Sequence, residues 1–245
     1  MLTSNAHFHK GFKTYGTERQ LSGTWGLGDT KHIRNTTKDY ARKIASLEKH
    51  VITLDGFDEK EIYVIGVDGI HFHTQEFRCS PSTVWYDYKS ASSGVKYLFA
   101  MAISRPSIVF KSGPSPASEH DITIFRGGTS EQDKSEWKQD SLYFRMEELG
   151  QGKKAVGDSG FAGEPEKVIT TKSHHSKQLK EFLARVKNRQ ESLHIRLRAF
   201  NILENRFRHG KGTEDKMELH GVCVSAISVI VQYDFHNGRP PFQVR

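Results

Sequence analysis

The stretch that decides the fold is Ile62-Tyr63-Val64-Ile65-Gly66-Val67-Asp68-Gly69. It is apolar on both faces of an extended chain, as is typical of a strand in the middle of a sheet, and it ends in a carboxylate. A second apolar stretch, residues 154–157, ends in the same way at Asp158. A third acid, Glu191, follows in a basic helical stretch, residues 185–191. Two acids at strand ends and one on a later helix can converge over one edge of a sheet.

Carboxylates that share one site repel each other unless a cation neutralises them. Mg²⁺ suits such a site, because it binds through a few carboxylates and leaves its other positions to water and phosphate oxygens. Two such ions, ~4 Å apart, clamp the attacking and leaving oxygens of a phosphodiester displacement. The pattern therefore predicts a metal site formed by Asp68, Asp158 and Glu191. The simpler alternatives are a turn at Asp68-Gly69 and an ion-paired helix face at Glu191.

Composition indicates an intracellular globular protein. The chain has 245 residues, of which 27% are charged and 36% hydrophobic, as is ordinary for a globular domain. No apolar stretch reaches membrane-spanning length, and the polar N-terminus lacks the apolar segment of a secretory signal. The two cysteines, Cys79 and Cys223, form neither a disulfide framework nor a Cys-x-x-Cys metal site, which favours a reducing compartment.

Positive charge is concentrated around Glu191. Residues 167–216 contain 13 Lys/Arg and 5 Asp/Glu, a local charge of +8, whereas the whole chain carries +7. The remaining residues therefore sum to about −1. Because neutralisation of phosphates drives nucleic-acid binding, this placement favours DNA as the partner over a merely solvated helix face.

The spacing of apolar residues predicts an α/β fold with a mixed sheet. Three strands separated by short turns are expected to form a meander, and two later strands to join the same sheet. The predicted strands are residues 61–68, 94–103, 107–111, 153–157 and 168–169. The predicted helices are residues 36–50, a short one from about 119, 177–206 and 214–233. Residues 1–28 are polar and Gly-rich, so we expect a loose arm there.

The helix that carries Glu191 is expected to pack on two sides. One apolar stripe at helical spacing consists of Leu179, Phe182, Val186, Leu193, Leu197 and Phe200. Glu191 lies nearly opposite, on a mixed face that includes Ile195. We expect Glu191 to enter a cleft there, flanked by Lys187 and Arg198.

Two further motifs have competing interpretations. His71 and His73 have the His-x-His spacing of some zinc ligands, and together with Asp121 they suggest a small-molecule metallohydrolase. We expect ordinary, partly buried histidines instead, because no cysteine pair or third clustered histidine supports zinc. Asp121 is also a candidate secondary residue of the acidic site. The spacing Ser118-x-x-Asp121, however, fits a helix capping box with Ser118 as the cap, which we favour.

Several motifs, in order, resemble the DDE transposases of the Harbinger type. Residues 64–71 are similar to the first acidic motif of that family, and Gly157–Pro165 to the second. The segment Arg189-Gln190-Glu191, with residues 196–200 and 207–210, resembles the third. Other similar segments are residues 85–89, 94–97, 113–126, 232–233 and 237–242, so that the likeness covers roughly residues 36–244.

The resemblance implies a ribonuclease-H-like core, a mixed sheet flanked by helices, in which Asp68, Asp158 and Glu191 bind two Mg²⁺ or Mn²⁺ ions. It implies hydrolysis of DNA at transposon ends, after which the freed 3′-hydroxyl attacks target DNA. The expected DNA contacts are Lys187, Arg196 and Arg198. A nuclear location is implied as well, and a separate DNA-binding partner protein and an oligomer are compatible with it.

The chain departs from the family pattern after Glu191. The family has Asn-Gly-Arg-Leu-Lys, whereas this chain has His194-Ile195-Arg196-Leu197-Arg198. Arg198 keeps the phosphate-binding charge, but Ile195 replaces a glycine and is expected to hinder close approach of DNA.

The region before the first strand is shorter than the helix-turn-helix region of the family. We therefore predict an N-terminal arm and partial helical region at residues 1–55 and an endonuclease domain at residues 56–245. The alternative to an enzyme is a non-catalytic, transposase-derived protein that binds DNA or a partner.

Overall fold

The computed structural model describes residues 11–26, 29–79 and 81–244. Within these ranges one mixed sheet of six strands forms the centre of the molecule. Its strands are β1 (Tyr63–His73), β2 (Tyr86–Asp87), β3 (Ser92–Ala102), β4 (Ile108–Pro116), β5 (Lys154–Val156) and β6 (Val168–Ile169). The main path is β2-β3-β1-β5-β6, and β4 pairs with the other edge of β3.

Helices cover both faces of the sheet. They are α1 (Glu18–Trp25), α2 (Thr30–Ala45), α3 (Glu48–Val51), α4 (Asp121–Arg126), α5 (Leu142–Glu147), α6 (Lys177–Arg198), α7 (Asn201–Glu204) and α8 (Thr213–His236). Short 3₁₀ turns occupy Ser82–Trp85, Lys134–Glu136 and Ser159–Phe161. None of the helices in the described ranges is long and apolar enough to cross a membrane.

Alternation along β1 and β3 divides the core into two layers. Ile70 and Phe72 of β1 pack with Tyr97 and Phe99 of β3 against α6 and α8. Val67 of β1 and Leu98, Ala100 and Ala102 of β3 pack against α4 and α5 on the other face. The strands therefore read as continuous apolar runs because both of their faces are buried.

The predicted α/β architecture and its meander are confirmed. β1 pairs antiparallel with β3, and β3 antiparallel with β4. β5 joins β1 in parallel with Gly66 opposite Val156, so that Asp68 and Asp158, each two residues further on, lie on the same side. β1 is longer than predicted and runs to His73, because Ile70 and Phe72 continue the buried alternation past Asp68.

Two predicted helices have different bounds. The long helix predicted over residues 177–206 ends at Arg198, since Phe200 adopts an extended conformation and α7 begins after it. The helix predicted over residues 36–50 begins earlier, at Thr30, where the Asp29 side chain accepts a hydrogen bond from the Lys31 N–H and caps it.

The prediction of a loose N-terminal arm is wrong for the part of that segment described. Phe12 and Tyr15 are buried in the core, and the Tyr15 hydroxyl accepts a 2.8 Å hydrogen bond from the Arg208 N–H. α1 follows with a capping box between Thr17 and Gln20. The mostly polar sequence of α1 offers too few apolar residues to predict a helix from their spacing. Residues 1–10, 27 and 28 lie outside the described ranges, and the division at residue 55 stays a prediction.

Candidate active site

Asp68 lies on the central strand where three structural elements meet. It is opposite Phe99 of β3 in the sheet register, and its Oδ1 accepts a 2.9 Å hydrogen bond from the Gly69 N–H. Its side chain is 27% exposed, toward an open cleft beside α6. The Asp68 carboxylate is thus fixed by the backbone of β1 and is partly accessible from the cleft.

Asp158 follows β5, the parallel neighbour of β1. Its Oδ1 accepts a 2.8 Å hydrogen bond from the Gly160 N–H and caps the short turn Ser159–Phe161. Asp158 is exposed and lines the same cleft as Asp68. The parallel pairing of β1 and β5 is the reason that these two acids, far apart in sequence, lie at one edge.

Glu191 comes to this edge from α6. The helix packs directly on β1 at Gly66, where an added Cβ would lie 2.6 Å from Val186 Cγ1. Gln190 is buried, and its Nε2 donates a hydrogen bond to the Gly66 carbonyl oxygen. Glu191, the next residue, therefore lies beside Asp68, with its side chain 66% exposed in the cleft.

One further residue of α6, His194, completes a compact group. One ligand atom each from Asp68, Glu191 and His194 lie within 4.8 Å of one another. The imidazole Nδ1 is 4.0 Å from Asp68 Oδ2 and 3.9 Å from Glu191 Oε2. Asp158 lines the cleft outside this tight group. The donor set of carboxylates and an imidazole suits a divalent cation.

The cleft is large enough for more than an ion. It has a volume of about 510 Å³ and a mostly polar lining. Five carboxylates and three basic side chains line it, together with three histidines. These residues are Asp68, Asp87, Asp121, Asp158, Glu191, Lys89, Lys187, Arg198, His71, His73 and His194.

The pKa values within the cleft reflect crowding of negative charge. Burial raises the pKa of Asp68 to about 7, and the neighbouring Asp121 carboxylate adds to the shift. Asp158 and Glu191 contribute in the same direction. Burial also lowers the pKa of His194 to about 4, so this ring is neutral at pH 7. Within the described residues Asp68 therefore has no cationic partner, because the basic ring 4.0 Å from it, that of His194, is neutral.

Asp121 belongs to this cleft, and its assignment as part of a capping box is wrong. The residue that caps α4 is His120, without a side-chain hydrogen bond, and the Ser118 hydroxyl donates instead to the Val84 carbonyl oxygen. The Asp121 carboxylate lies over Gly69, where any Cβ would collide with it, and its Oδ1 is 3.3 Å from Lys96 Nζ. A glycine after Asp68 therefore makes room for a fourth acid.

The histidines His71 and His73 are held by neighbouring hydroxyls. His71 Nδ1 is 3.3 Å from Ser90 Oγ, and His73 Nδ1 is 2.7 Å from Ser92 Oγ. Both rings line the cleft, but Glu191 lines it as well. Within the described ranges the candidate metal group consists of Asp68, Glu191 and His194. This arrangement does not favour the metallohydrolase alternative, which required Glu191 to be distant.

The three predicted DNA contacts are placed differently. Lys187 and Arg198 flank the cleft as predicted, and Arg198 Nη2 also donates a 2.9 Å hydrogen bond to the His71 carbonyl oxygen. Arg196 lies away from the cleft, where its guanidinium donates to the Arg239 and Pro240 carbonyl oxygens. Its packing over the Phe235 ring supports a structural role.

The expectation that α6 is packed on both sides is wrong, because Ile195 is 69% exposed. The helix packs through one face, and that face includes a buried polar residue. Its Arg189 donates hydrogen bonds to the Ile103 and Arg105 carbonyl oxygens. Sequence reasoning also missed His194 as a site residue. Its position one turn after Glu191 was the available signal, since residues three apart share a helix face.

A mixed sheet with helices on both faces and an acidic cleft at its edge defines a nuclease-like α/β protein, consistent with the ribonuclease-H-like fold. The family model described as DDE superfamily endonuclease matches residues 67–232, and the chain belongs to this family. No curated protein and no solved structure matches the chain.

Proposed function

We propose that this protein is a divalent-metal-dependent DNA endonuclease of the transposase type, and specifically of the Harbinger type. The observation that carries the proposal is the convergence of Asp68, Asp158 and Glu191, from two strands and a helix, on one cleft. Membership of the DDE superfamily endonucleases supports the same chemistry.

In this proposal Asp68, Asp158 and Glu191 hold the cations, and Asp121 is a secondary residue beside them. Bound Mg²⁺ or Mn²⁺ would supply charge stabilisation for the phosphodiester oxygens during hydrolysis and strand transfer. Lys187 and Arg198 bind the DNA phosphates at the rim of the cleft. Asp158 keeps its carboxylate oriented through the Gly160 N–H, and Asp68 is fixed by the Gly69 N–H.

The proposal includes action in the nucleus, where transposon DNA is found, and a separate protein that recognises the DNA sequence. Both follow from the Harbinger resemblance. The competing function is a non-catalytic, transposase-derived protein that binds DNA or a partner. The exposed Ile195 beside Glu191 is the observation that favours this alternative, because an apolar side chain replaces the glycine of the family there.

Nicking of supercoiled plasmid DNA in Mg²⁺ and in Mn²⁺ tests the proposal. The parent protein should nick DNA only with a divalent ion, and Asp158→Asn should abolish nicking while leaving thermal melting nearly unchanged, because the side-chain shape is kept. Asp140→Asn is the matched control, since Asp140 is exposed and lies outside the cleft. Absence of nicking in the parent protein with every divalent ion would favour the non-catalytic alternative.

A further inference from the structure

His194 is a buried imidazole that faces two carboxylates. Only 8% of the residue is exposed, and its Nε2 is buried without a hydrogen-bond partner in the part of the chain described. Its Nδ1 faces Asp68 Oδ2 and Glu191 Oε2 at 4.0 and 3.9 Å, both too long for hydrogen bonds. Nδ1 is therefore the ring nitrogen that points toward the two carboxylates, and its geometry is what suggests a shared ion.

The distances around Nδ1 fit a shared cation. Two donors bound to one ion at about 2.1 Å each lie at most about 4.2 Å apart. Both Nδ1–carboxylate distances fall within that limit. The three ligand atoms lie within 4.8 Å of one another, so a small rotation of the exposed Glu191 side chain is enough to close the group.

α6 positions the imidazole as firmly as it positions Glu191. His194 follows Glu191 by one turn on the same helix face, and its neighbours Leu193 and Leu197 are buried in the core. The backbone of α6 is fixed to the sheet through Gln190 and Arg189. The ring therefore has little freedom to leave the cleft, and coordination through Nδ1 places its single proton on Nε2.

We propose that His194 is a nitrogen ligand of the cation held by Asp68 and Glu191, and that it makes this position selective for Mn²⁺ and related transition metals over Mg²⁺. The inference rests on the proposed function of the carboxylates. Imidazole suits transition metals, whereas Mg²⁺ prefers oxygen ligands and keeps much of its water. An asparagine at this position, as in the family pattern, offers only an amide oxygen.

The test compares metal binding to the full chain and to His194→Asn by isothermal titration calorimetry. The parent protein should bind Mn²⁺ at least tenfold more tightly than Mg²⁺. The variant should lose about tenfold or more of its Mn²⁺ affinity, on the scale of losses seen when metal-site residues are changed. Its Mg²⁺ affinity should change much less, because Mg²⁺ gains little from the nitrogen.

Pulsed electron paramagnetic resonance of bound Mn²⁺ gives a direct second measurement. A histidine ligand couples its ¹⁴N nucleus to the manganese spin, so the parent protein should show nitrogen modulation that His194→Asn lacks. His174→Asn is the matched control, since His174 is exposed and lies outside the cleft, and it should keep the modulation. Thermal melting of each variant shows that it is folded, and His194→Gln replaces the Asn variant if that one is not.

The outcomes separate this inference from the proposed function. The role of His194 is overturned if the parent protein and His194→Asn have the same Mn²⁺-to-Mg²⁺ affinity ratio and both show nitrogen modulation. In that case the proposed endonuclease still holds if Asp158→Asn abolishes nicking. Nitrogen modulation that disappears in His194→Asn supports the ligand even if the parent protein does not nick DNA. Absence of divalent-ion binding in the parent protein overturns both.

Discussion

Gln190 Nε2 donates a hydrogen bond to the carbonyl oxygen of Gly66, and this contact fixes α6 against the central strand. Gly66 precedes Asp68 by two residues, and Gln190 directly precedes Glu191. The hydrogen bond therefore sets how far along β1 the helical acid lies. A polar side chain buried in this position links the packing of the core to the geometry of the cleft.

We predict that Gln190→Met destabilises the protein and weakens the metal site together. Met has a similar length but cannot donate, so the free energy of unfolding should fall by about 1–3 kcal/mol. Mn²⁺ affinity should fall as well, since Glu191 loses its register. Chemical denaturation and calorimetry measure the two effects. Gln178→Met is the control, because Gln178 is exposed on the same helix, and it should change neither. Unchanged metal affinity in Gln190→Met would show that other contacts of α6 suffice.

Close approach of α6 and β1 depends on Gly66 having no side chain. Gly66→Ala would place a Cβ 2.6 Å from Val186 Cγ1, so the helix must move or the side chains must deform. We expect a loss of about 1–3 kcal/mol in the free energy of unfolding, as is usual for overpacking. In a double-mutant cycle, Val186→Ala should reduce the cost of Gly66→Ala, because it removes the colliding methyl group. Additive effects would mean that the collision is relieved elsewhere.

Lys187 provides the cleanest test of DNA binding. It lines the cleft and has no hydrogen bond or ion pair to any described residue, whereas Arg198 also supports the His71 backbone. Lys187→Gln should weaken DNA binding and lower the slope of log affinity against log salt by roughly one unit, as expected for one lost phosphate contact. Glutamine is preferred to glutamate here, since a new carboxylate would perturb the metal site.

Lys177 supplies the matched control for that experiment. It lies on the same helix, and its side chain is 91% exposed away from the cleft. Lys177→Gln makes the same change in net charge and should leave the salt slope almost unchanged. Equal effects of the two substitutions would show that the basic charge of residues 167–216 acts as a diffuse field and not through contacts in the cleft.

His220 is expected to make the protein sensitive to acid. It is fully buried and accepts or donates a 2.8 Å hydrogen bond with the Tyr97 hydroxyl, and burial lowers its pKa to about 3 from an ordinary value of 6.5. A histidine that is neutral when folded must bind a proton on unfolding in acid. Its contribution to stability is therefore complete above pH 6.5 and is lost as the pH falls toward 3.

Measurement of the free energy of unfolding between pH 7 and pH 3 tests this expectation. One such proton gives a slope of about 1.4 kcal/mol per pH unit. His220→Asn, which keeps a polar atom near Tyr97, should be less stable at pH 7 but have a shallower slope in this window. The pKa values of His71 and His194 are also lowered by burial. These two residues still contribute to the pH dependence of the free energy of unfolding in His220→Asn, so its slope should not fall to zero. An unchanged slope would mean that His220 is not buried in solution.

The sequence predicts the sheet well because buried strands have a local pattern. The apolar run before Asp68 specifies a buried strand, although that strand continues to His73, and the run before Asp158 places this acid just after its strand. A contact between side chains that are distant in sequence leaves no such local pattern. Ser118-x-x-Asp121 is a capping pattern by spacing, yet Asp121 contacts Gly69 and Lys96, which are distant in sequence. His194 lies one turn after Glu191, but the sequence does not show that Asp68 faces it, and its role depends on that contact.

The position of Asp121 leads to a prediction for the metal-free protein. Its carboxylate is the second largest cause, after burial, of the raised pKa of Asp68. Asp121→Asn should therefore lower the pKa of Asp68 from about 7, because the nearby negative charge is removed. A raised folded pKa favours the folded state fully below the ordinary value of 3.8, and this advantage is lost as the pH rises through about 7. The variant should lose less stability than the parent protein between pH 4 and pH 8.

Carboxyl-carbon NMR titration of Asp68, with metal removed by chelation, measures the shift directly. Asp140→Asn is the control and should leave the pKa of Asp68 unchanged, because Asp140 lies outside the cleft. Between pH 4 and pH 8 the free energy of unfolding should fall less in Asp121→Asn than in the parent protein, and Asp140→Asn should behave like the parent protein. If the pKa of Asp68 is the same in the parent protein and in Asp121→Asn, the two carboxylates are not neighbours in solution, and the placement of Asp121 over Gly69 is wrong.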